Sequence, residues 1–447
     1  MKNIKKKTVN FPYLERPVEI YERECGHRIV FAYKKGSLIN ISSWVKTGSI
    51  NENDENNGIS HFLEHLMFKG TSKHKAGEFD RILEGRGAIV NAATWKDYTF
   101  YYVTLPKGAD ERNFKDTLEL HADMMLDPVI PDNEIGAPFD LNEKVKEKRE
   151  RHVVIEEIRM RKDQPWTKVY NQANANMYVS HPYKRDVIGN ENIISSITRE
   201  EVLEYYKTHY TPNNIITIIT GDLNFEEALP LAAEKFDFKG RKNRENELFE
   251  QDKPAVKTKI VESRAQITTG FMTAGWLAPA ASDIKSNTAL EIAALVLGQG
   301  QSSRLYQELI EKAENPLFNA LTADYYQFRG GGNFLLQANF KPDKKDAAFE
   351  QIKIQLEKFL KDGISEKELN KAKKKLKANF AENAETVSDI SETIGFYMTV
   401  CSGLECVEEY VQTLENITAE DINSVLREHL DVNKAVVSFL MPEQPAF

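Results

Sequence analysis

Ile197-Thr198-Arg199-Glu200-Glu201-Val202, followed by His209, Asn213 and the apolar run Ile215–Thr220, returns later in the chain as Ile417-Thr418-Ala419-Glu420-Asp421-Ile422, His429, Asn433 and Ala435–Leu440. The offset is a constant 220 residues, close to half of the 447-residue chain. A repeat of that length implies duplication of a whole domain. Each copy reads as a Thr-capped amphipathic helix with acids in its first turn, then a short turn and a buried strand. Two homologous halves follow. Between them, 239–255 is charged, poor in apolar residues and without a period, the profile of an exposed linker. The expected domains are therefore 1–238 and 256–447.

In the first half, strands are expected at Val18–Tyr21, Arg28–Tyr33, Leu38–Thr47, Ala88–Thr94 and Thr99–Leu105. Helices are expected at Ile59–Lys69, with Gly70 as C-cap, and at Glu78–Glu84, Asn113–Met125, Lys144–Arg161 and Pro165–Tyr178. The second half repeats the order, with strands near Lys257–Trp276, helices Ser282–Leu297 and Ser302–Glu311, strands Leu317–Tyr326 and Asn333–Phe340, then helices. Mixed blocks with hairpin-length joins favour an α+β fold: two α/β-sandwich domains with largely antiparallel sheets flanked by helices.

A chain with 41% hydrophobic and 28% charged residues is neither disordered nor collagen-like. Its net charge of −9 argues against a generic nucleic-acid surface. Three cysteines, Cys25, Cys401 and Cys406, contain no Cys-x-x-Cys pair and read as a reducing compartment. No uncharged apolar run approaches the roughly 20 residues of a membrane span. Met1–Thr8 has the basic start of a signal peptide without the apolar stretch that should follow. The expected location is cytoplasmic, or periplasmic if a targeting segment has been removed.

The chemistry concentrates in Gly58-Ile-Ser-His61-Phe-Leu-Glu64-His65-Leu-Met-Phe-Lys-Gly70. On a helix, residues i and i+4 share a face, so His61 and His65 can offer imidazole nitrogens to one tetrahedral zinc. Glu64 lies beside that edge, placed to take a proton from a water that the metal has acidified. With nine histidines in the chain, His-x-x-Glu-His arises by chance only about once or twice in a hundred such sequences. A catalytic zinc needs a third protein ligand and an open position. The helix Glu150-Arg-His-Val-Val-Ile-Glu156-Glu157 supplies acids, with Glu150, Val153, Val154 and Glu157 spaced to share one face. Acids on an apolar face are costly unless paired or bound to a cation.

These motifs resemble those of the pitrilysin-like zinc peptidases of the inverzincin type, the family of mitochondrial processing peptidase and insulin-degrading enzyme. Nearly the whole chain is covered, and in size and layout it is most similar to the bacterial two-domain members. The resemblance implies one Zn2+ per chain, ligated by His61, His65 and Glu157, with Glu64 as base and Glu150 as auxiliary catalytic acid; Glu156 is the nearest wrong choice. It also implies halves or subunits that close like a clamshell around peptide substrates. Gly87-Ala-Ile-Val-Asn91-Ala92-Ala-Thr94 resembles the family's edge strand that pairs with substrate backbone, which makes Asn91 and Ala92 the substrate-binding candidates. His181–Gly189 also looks family-like and reads as structural.

Aligning Gly70 with Gly300 puts Glu291, Ala294 and Leu295 opposite His61, Glu64 and His65, so the second half is expected to hold no zinc. Two departures from the family pattern stand out. The interval from His65 to Glu157 is lengthened around Pro138–Lys148. The Arg and Tyr that active members carry after a Ser-Ser-Arg-Leu helix are replaced, since Ser302-Ser-Arg304-Leu is followed by Ile310 and by Leu317 or Phe318. The resulting expectation is a zinc endopeptidase that works with a homologous subunit carrying the Arg/Tyr pair, as a heterodimer, or else as a homodimer. Its main competitor is a non-catalytic assembly or peptide-binding subunit that kept the fold. Gly85-Arg-Gly87 and Gly298-Gln-Gly300 do not complete a nucleotide-binding fingerprint, and the Lys-rich stretch Lys367–Lys377 reads as a solvated helix face.

Overall fold

A computed structural model describes residues 4–108, 112–141, 149–245, 247, 249–401 and 403–443. The first sheet contains β1 (Lys5–Val9), β2 (Val18–Glu22), β3 (Arg28–Ala32), β4 (Leu38–Val45), β5 (Ile89–Thr94), β6 (Thr99–Pro106) and β7 (Ile215–Gly221), in the order β1-β2-β3-β7-β4-β6-β5. The second contains β8 (Lys259–Ala265), β9 (Gly270–Ala278), β10 (Phe318–Phe328), β11 (Gly331–Phe340) and β12 (Val436–Pro442), in the order β10-β11-β9-β12-β8. Read from the other edge, β8-β12-β9-β11-β10 reproduces β3-β7-β4-β6-β5. The duplication seen in the sequence is thus a duplication of sheet topology. In each sheet one pairing is parallel, β3 with β7 and β12 with β8, and the rest are antiparallel.

The repeated helices are Arg199–His209 and Ala419–His429, and both open with a complete capping box, Thr198 with Glu201 and Thr418 with Asp421. The strand β1 was not anticipated in the basic N-terminal stretch. Its four leading residues are exposed, and lysines there blunt an open sheet edge, which is why no apolar alternation marks it. The helix that carries the histidines runs Ile59–Met67, two residues shorter than expected, with Phe68 as its C-cap. Gly70 lies beyond it at φ +99°, bridged to Lys75. The expected helix 144–161 is observed as Glu150–Lys162, and 142–148 lie outside the described residues. Ser302–Glu311 is not one helix but a short turn, Arg304–Tyr306, followed by a π-turn at Gln307–Glu311.

Chain contacts separate two compact units that are not contiguous in sequence. One comprises 1–159, 186–248 and 380–408, the other 160–185, 249–379 and 409–447. The main break, between 248 and 249, falls inside the linker segment, but two segments depart from boundaries at 238 and 256. Helix Pro165–Met177 packs on β9 and β12, and helix Val387–Val400 packs on β4 and β7. The 220-residue offset carries 165–177 onto 385–397, so these helices are repeat equivalents and each half of the sequence supplies the helix that covers the other half's sheet.

Strand β4 shows why that cover matters. Ile39, Ile41 and Val45 face the core beneath the sheet, while Asn40, Ser42 and Trp44 alternate to the opposite face. There Trp44 stacks on Phe100 at 4.3 Å. A Cβ on Gly395 would lie 1.9 Å from the Trp44 ring, so the helix rests on the indole through a residue with no side chain. Thr104 and Thr220 hydrogen-bond Ser388 and Ser391 of the same helix at 2.8 and 2.7 Å. A fragment ending at residue 238 would lose this helix. Exposing the Trp44 ring alone would forfeit on the order of 4 kcal/mol of apolar burial. Fragment 1–238 is therefore expected to aggregate or to bind a hydrophobic dye strongly at neutral pH. A soluble fragment with a single cooperative melting transition would contradict this.

The linker is pinned rather than loose. In the first unit Arg241 donates to the Tyr210 and Leu126 carbonyls at 3.1 and 2.5 Å. In the second, Asp252 accepts the backbone N–H groups of Val179, Ser180 and His181. This fixes the start of the His181–Gly189 segment.

Candidate metal centre

Helix Ile59–Met67 has no side-chain cap of its own. It begins at Gly58, φ +100°, where an added Cβ would meet the Gly189 Cα at 2.8 Å. Its first turn is instead satisfied by the buried carboxylate of Glu52, which accepts from the backbone N–H of Gly58 at 2.8 Å, the N–H of Ser60 at 3.0 Å and the Asn57 side chain at 2.8 Å. An acid at a helix N-terminus also complements the dipole. Glu52 leaves no signature in the sequence pattern because it caps from six residues before the N-cap Gly58, at no periodic spacing.

The helix puts the His61 and His65 rings 4.7 Å apart at 77°. Helix Glu150–Lys162 brings Glu157 to both: its Oε2 lies 3.6 Å from His61 Nε2 and 3.5 Å from His65 Nε2. One donor atom from each of the three residues falls within 4.8 Å of the others, and among the described residues no further such group occurs. Ligands bonded at roughly 2.0–2.1 Å around a tetrahedral metal stand about 3.3 Å from one another. The two edges that meet at Glu157, 3.6 and 3.5 Å, lie close to that spacing, and two histidines with one glutamate are a donor set that catalytic zinc takes.

Glu156 points away, paired with Arg159 at 2.8 Å on the exposed side of the helix. The expected shared face is corrected in one place: Val154 is buried but Val153 is 50% exposed, so the stripe beside the acids is carried by Val154, Ile155 and Ile158. Glu150 does not join the ligand triangle. Its Oε1 accepts from His65 Nδ1 at 2.8 Å and its Oε2 pairs with Lys69 Nζ at 2.5 Å. Burial would raise the Glu150 carboxyl, but these two donors hold it below its ordinary value. Burial alone would lower His65; the Glu150 hydrogen bond and the charges of Glu64, Glu150 and Glu157 outweigh it and raise the imidazole. In neutral His65, donation from Nδ1 leaves Nε2 as the acceptor nitrogen, the form that a metal ligand requires. Replacing Glu150 by Gln is expected to weaken zinc binding by roughly 10–100-fold, as loss of such a partner does, measured by chelator competition. An unchanged affinity would show that His65 needs no orienting carboxylate.

Glu64 is buried one position before His65, and Thr94 Oγ1 donates to its Oε2 at 2.6 Å. Thr94 ends β5, the outer strand of its sheet, paired on one side only, with β6. Asn91 and Ala92 lie on the same strand, and Asn91 Oδ1 accepts the Ala92 N–H at 2.9 Å.

In the second unit, Glu291 accepts from the Tyr410 hydroxyl at 2.8 Å. Arg304 makes a two-pronged pair with Glu368 at 2.7 Å and donates to the Gly363 carbonyl at 2.6 Å, which makes it a structural residue. Ile310 lies in the π-turn, and Phe318 is buried. The Tyr325 hydroxyl is engaged by Asn287, while Tyr326 is 41% exposed.

A His-x-x-Glu-His helix joined by a carboxylate seven residues along from an orienting glutamate defines the class, a metallopeptidase-type centre on a duplicated two-sheet scaffold. Comparison with known proteins agrees. The family described as Insulinase (Peptidase family M16) matches residues 28–191, and that described as Peptidase M16 inactive domain matches 196–376. Zinc protease PqqE of Helicobacter pylori is 29% identical over 416 residues, 91% of this chain and 88% of that protein. An uncharacterized zinc protease of Bacillus subtilis, YmxG, is 27% identical over 87% of this chain and 89% of its own. Among solved structures, a protease from Helicobacter pylori superposes with a TM-score of 0.82 at 28% identity, covering 98% of this chain and 100% of that one. A peptidase M16 inactive domain from Pseudomonas fluorescens superposes with a TM-score of 0.84 at 19% identity, over 96% and 98% of the two chains. The chain belongs to peptidase family M16, the pitrilysin-like family, and has its two-domain fold. Among the described residues, no helix is long and apolar enough to cross a membrane.

Proposed function

We propose that this chain is a zinc endopeptidase subunit that hydrolyses peptides, with His61, His65 and Glu157 as ligands of one zinc ion. The observation that carries the reading is the triangle of donors at 3.5 and 3.6 Å with Glu64 buried beside it. Zinc, when bound, supplies Lewis acidity, which brings the pKa of a water toward neutrality and polarises a carbonyl. The Glu64 carboxylate takes the proton of the attacking water and returns it to the departing amine. Glu150 holds His65 by its Nδ1–H and keeps Nε2 directed at the ligand triangle. The edge strand β5 offers main-chain groups to an extended peptide, with the Ala92 N–H, now held by Asn91, as a donor that a substrate carbonyl can take over.

A second reading, a non-catalytic peptide-binding or assembly subunit, is favoured by Ile310 and by Leu317 or Phe318 at the positions where the family resemblance places an Arg and a Tyr in active members. Metal analysis combined with cleavage of a quenched fluorogenic peptide separates the two, run on the purified chain and on the chain with candidate partner subunits. The proposal requires one zinc per chain, absent from a His61→Ala/His65→Ala variant, and zinc-dependent cleavage. Stoichiometric zinc in that double variant would sink the ligand assignment, and peptide binding without cleavage in every assembly would establish the second reading.

A further inference from the structure

Glu64 accepts a hydrogen bond from a residue that belongs neither to its helix nor to the ligand set. The Thr94 hydroxyl reaches its Oε2 at 2.6 Å, within the short range of an O–H donor on an ionised carboxylate. Three features make this contact more than chance proximity. Alternation along β5 puts Val90, Ala92 and Thr94 on one face, and Val90 and Ala92 pack against the core. Helix Ile59–Met67 packs on the same strand, and Ala92 presents only a methyl group there. Thr94 is β-branched, so its χ1 is stiff and the direction of its hydroxyl is set by the strand. The terminal torsion of a glutamate, by contrast, is broad and nearly two-fold. A base that must meet one proton gains from having that torsion fixed, because small misplacements cost large factors in rate.

We propose that Thr94 is a positioning residue for the general base, setting the orientation of Glu64 from the end of the strand that receives the peptide. The inference rests on the reading of Glu64 as base. Thr94→Val keeps the shape and removes the donor, whereas Thr94→Ser keeps the donor. Steady-state cleavage is measured on the assembly that cleaves the reporter peptide. Thr94→Val is expected to lower kcat about tenfold, the scale of one charge-assisted hydrogen bond. KM is expected to stay within about twofold, because the substrate-facing edge is untouched. Zinc affinity by chelator competition is expected to be unchanged, and Thr94→Ser is expected to restore kcat to within about threefold. Crystal structures of the metal-free variants supply a readout independent of turnover: the Glu64 carboxylate leaves its position in Thr94→Val and keeps it in Thr94→Ser. Wild-type kcat in Thr94→Val overturns the proposal, as does equal impairment of both variants with loss of zinc. Glu64→Gln is run in parallel. If it does not reduce cleavage, the base assignment itself has failed. If it does while Thr94→Val is unaffected, only the role of Thr94 is lost.

Discussion

Replacing Glu64 by Gln is expected to leave zinc bound at one ion per chain while cutting peptide cleavage by roughly two to four orders of magnitude. The two halves of that result come from different parts of the geometry. Zinc retention follows from the proposed ligand set, since His61, His65 and Glu157 bring their donor atoms together and Glu64 is not one of the three. Glutamine is isosteric with glutamate, and its carboxamide oxygen can still accept from Thr94 Oγ1, so packing beneath the helix is preserved. The loss of rate follows because an amide cannot take a proton near neutral pH, which leaves the attacking water without a base. The measurement is metal content by atomic spectroscopy alongside initial rates on a fluorogenic peptide. Loss of zinc from the variant would move Glu64 into the ligand set, and a rate within tenfold of wild type would mean that another group takes the proton.

Much of this site was legible because helices enforce their period. His61 and His65 are four apart and Glu150 and Glu157 seven apart, and both spacings return a residue to the same helix face. The period groups Glu157 with Glu150, the family resemblance makes Glu157 rather than Glu156 the expected ligand, and the structure puts Glu156 on the outer side with Arg159. The duplicated topology was legible for a similar reason, since a capping box followed by a buried strand is a local signature present twice. What periodicity cannot tell is which sheet an amphipathic helix covers. Pro165–Met177 and Val387–Val400 both carry an apolar face, but the choice of β9 and β12 for one and β4 and β7 for the other is a matter of chain connectivity. Glu52 and Thr94 were hidden because their partners lie six to eight and thirty residues away, at separations set by loops. The π-turn at Gln307–Glu311 shows the reverse problem, a helical pattern whose hydrogen bonding slips a residue.

That turn also carries the consequence with the widest reach. Hydrolysis of a peptide builds negative charge on the carbonyl oxygen, and withdrawing one preorganised donor from such a centre costs roughly a hundredfold or more in rate. The family's Arg and Tyr supply donors of this kind, and here Ile310 and Leu317 or Phe318 offer none. Two residues of the C-terminal half that could offer donors are committed elsewhere: Arg304 is clamped by Glu368 and the Gly363 carbonyl, and the Tyr325 hydroxyl is taken by Asn287. The purified chain alone is therefore expected to cleave peptides weakly or not at all. Addition of a homologous subunit that carries the Arg/Tyr pair, and has no His-x-x-Glu-His of its own, is expected to raise the rate by about two orders of magnitude or more. Replacing that subunit's Arg or Tyr is expected to abolish the gain while leaving zinc on this chain. The check is a titration of the chain with the partner at fixed peptide concentration, with the stoichiometry of the active species determined by light scattering. Full activity from a demonstrably pure monomer or homodimer would refute the division of labour. It would direct the search to the exposed Tyr326, which replacement by Phe would then test.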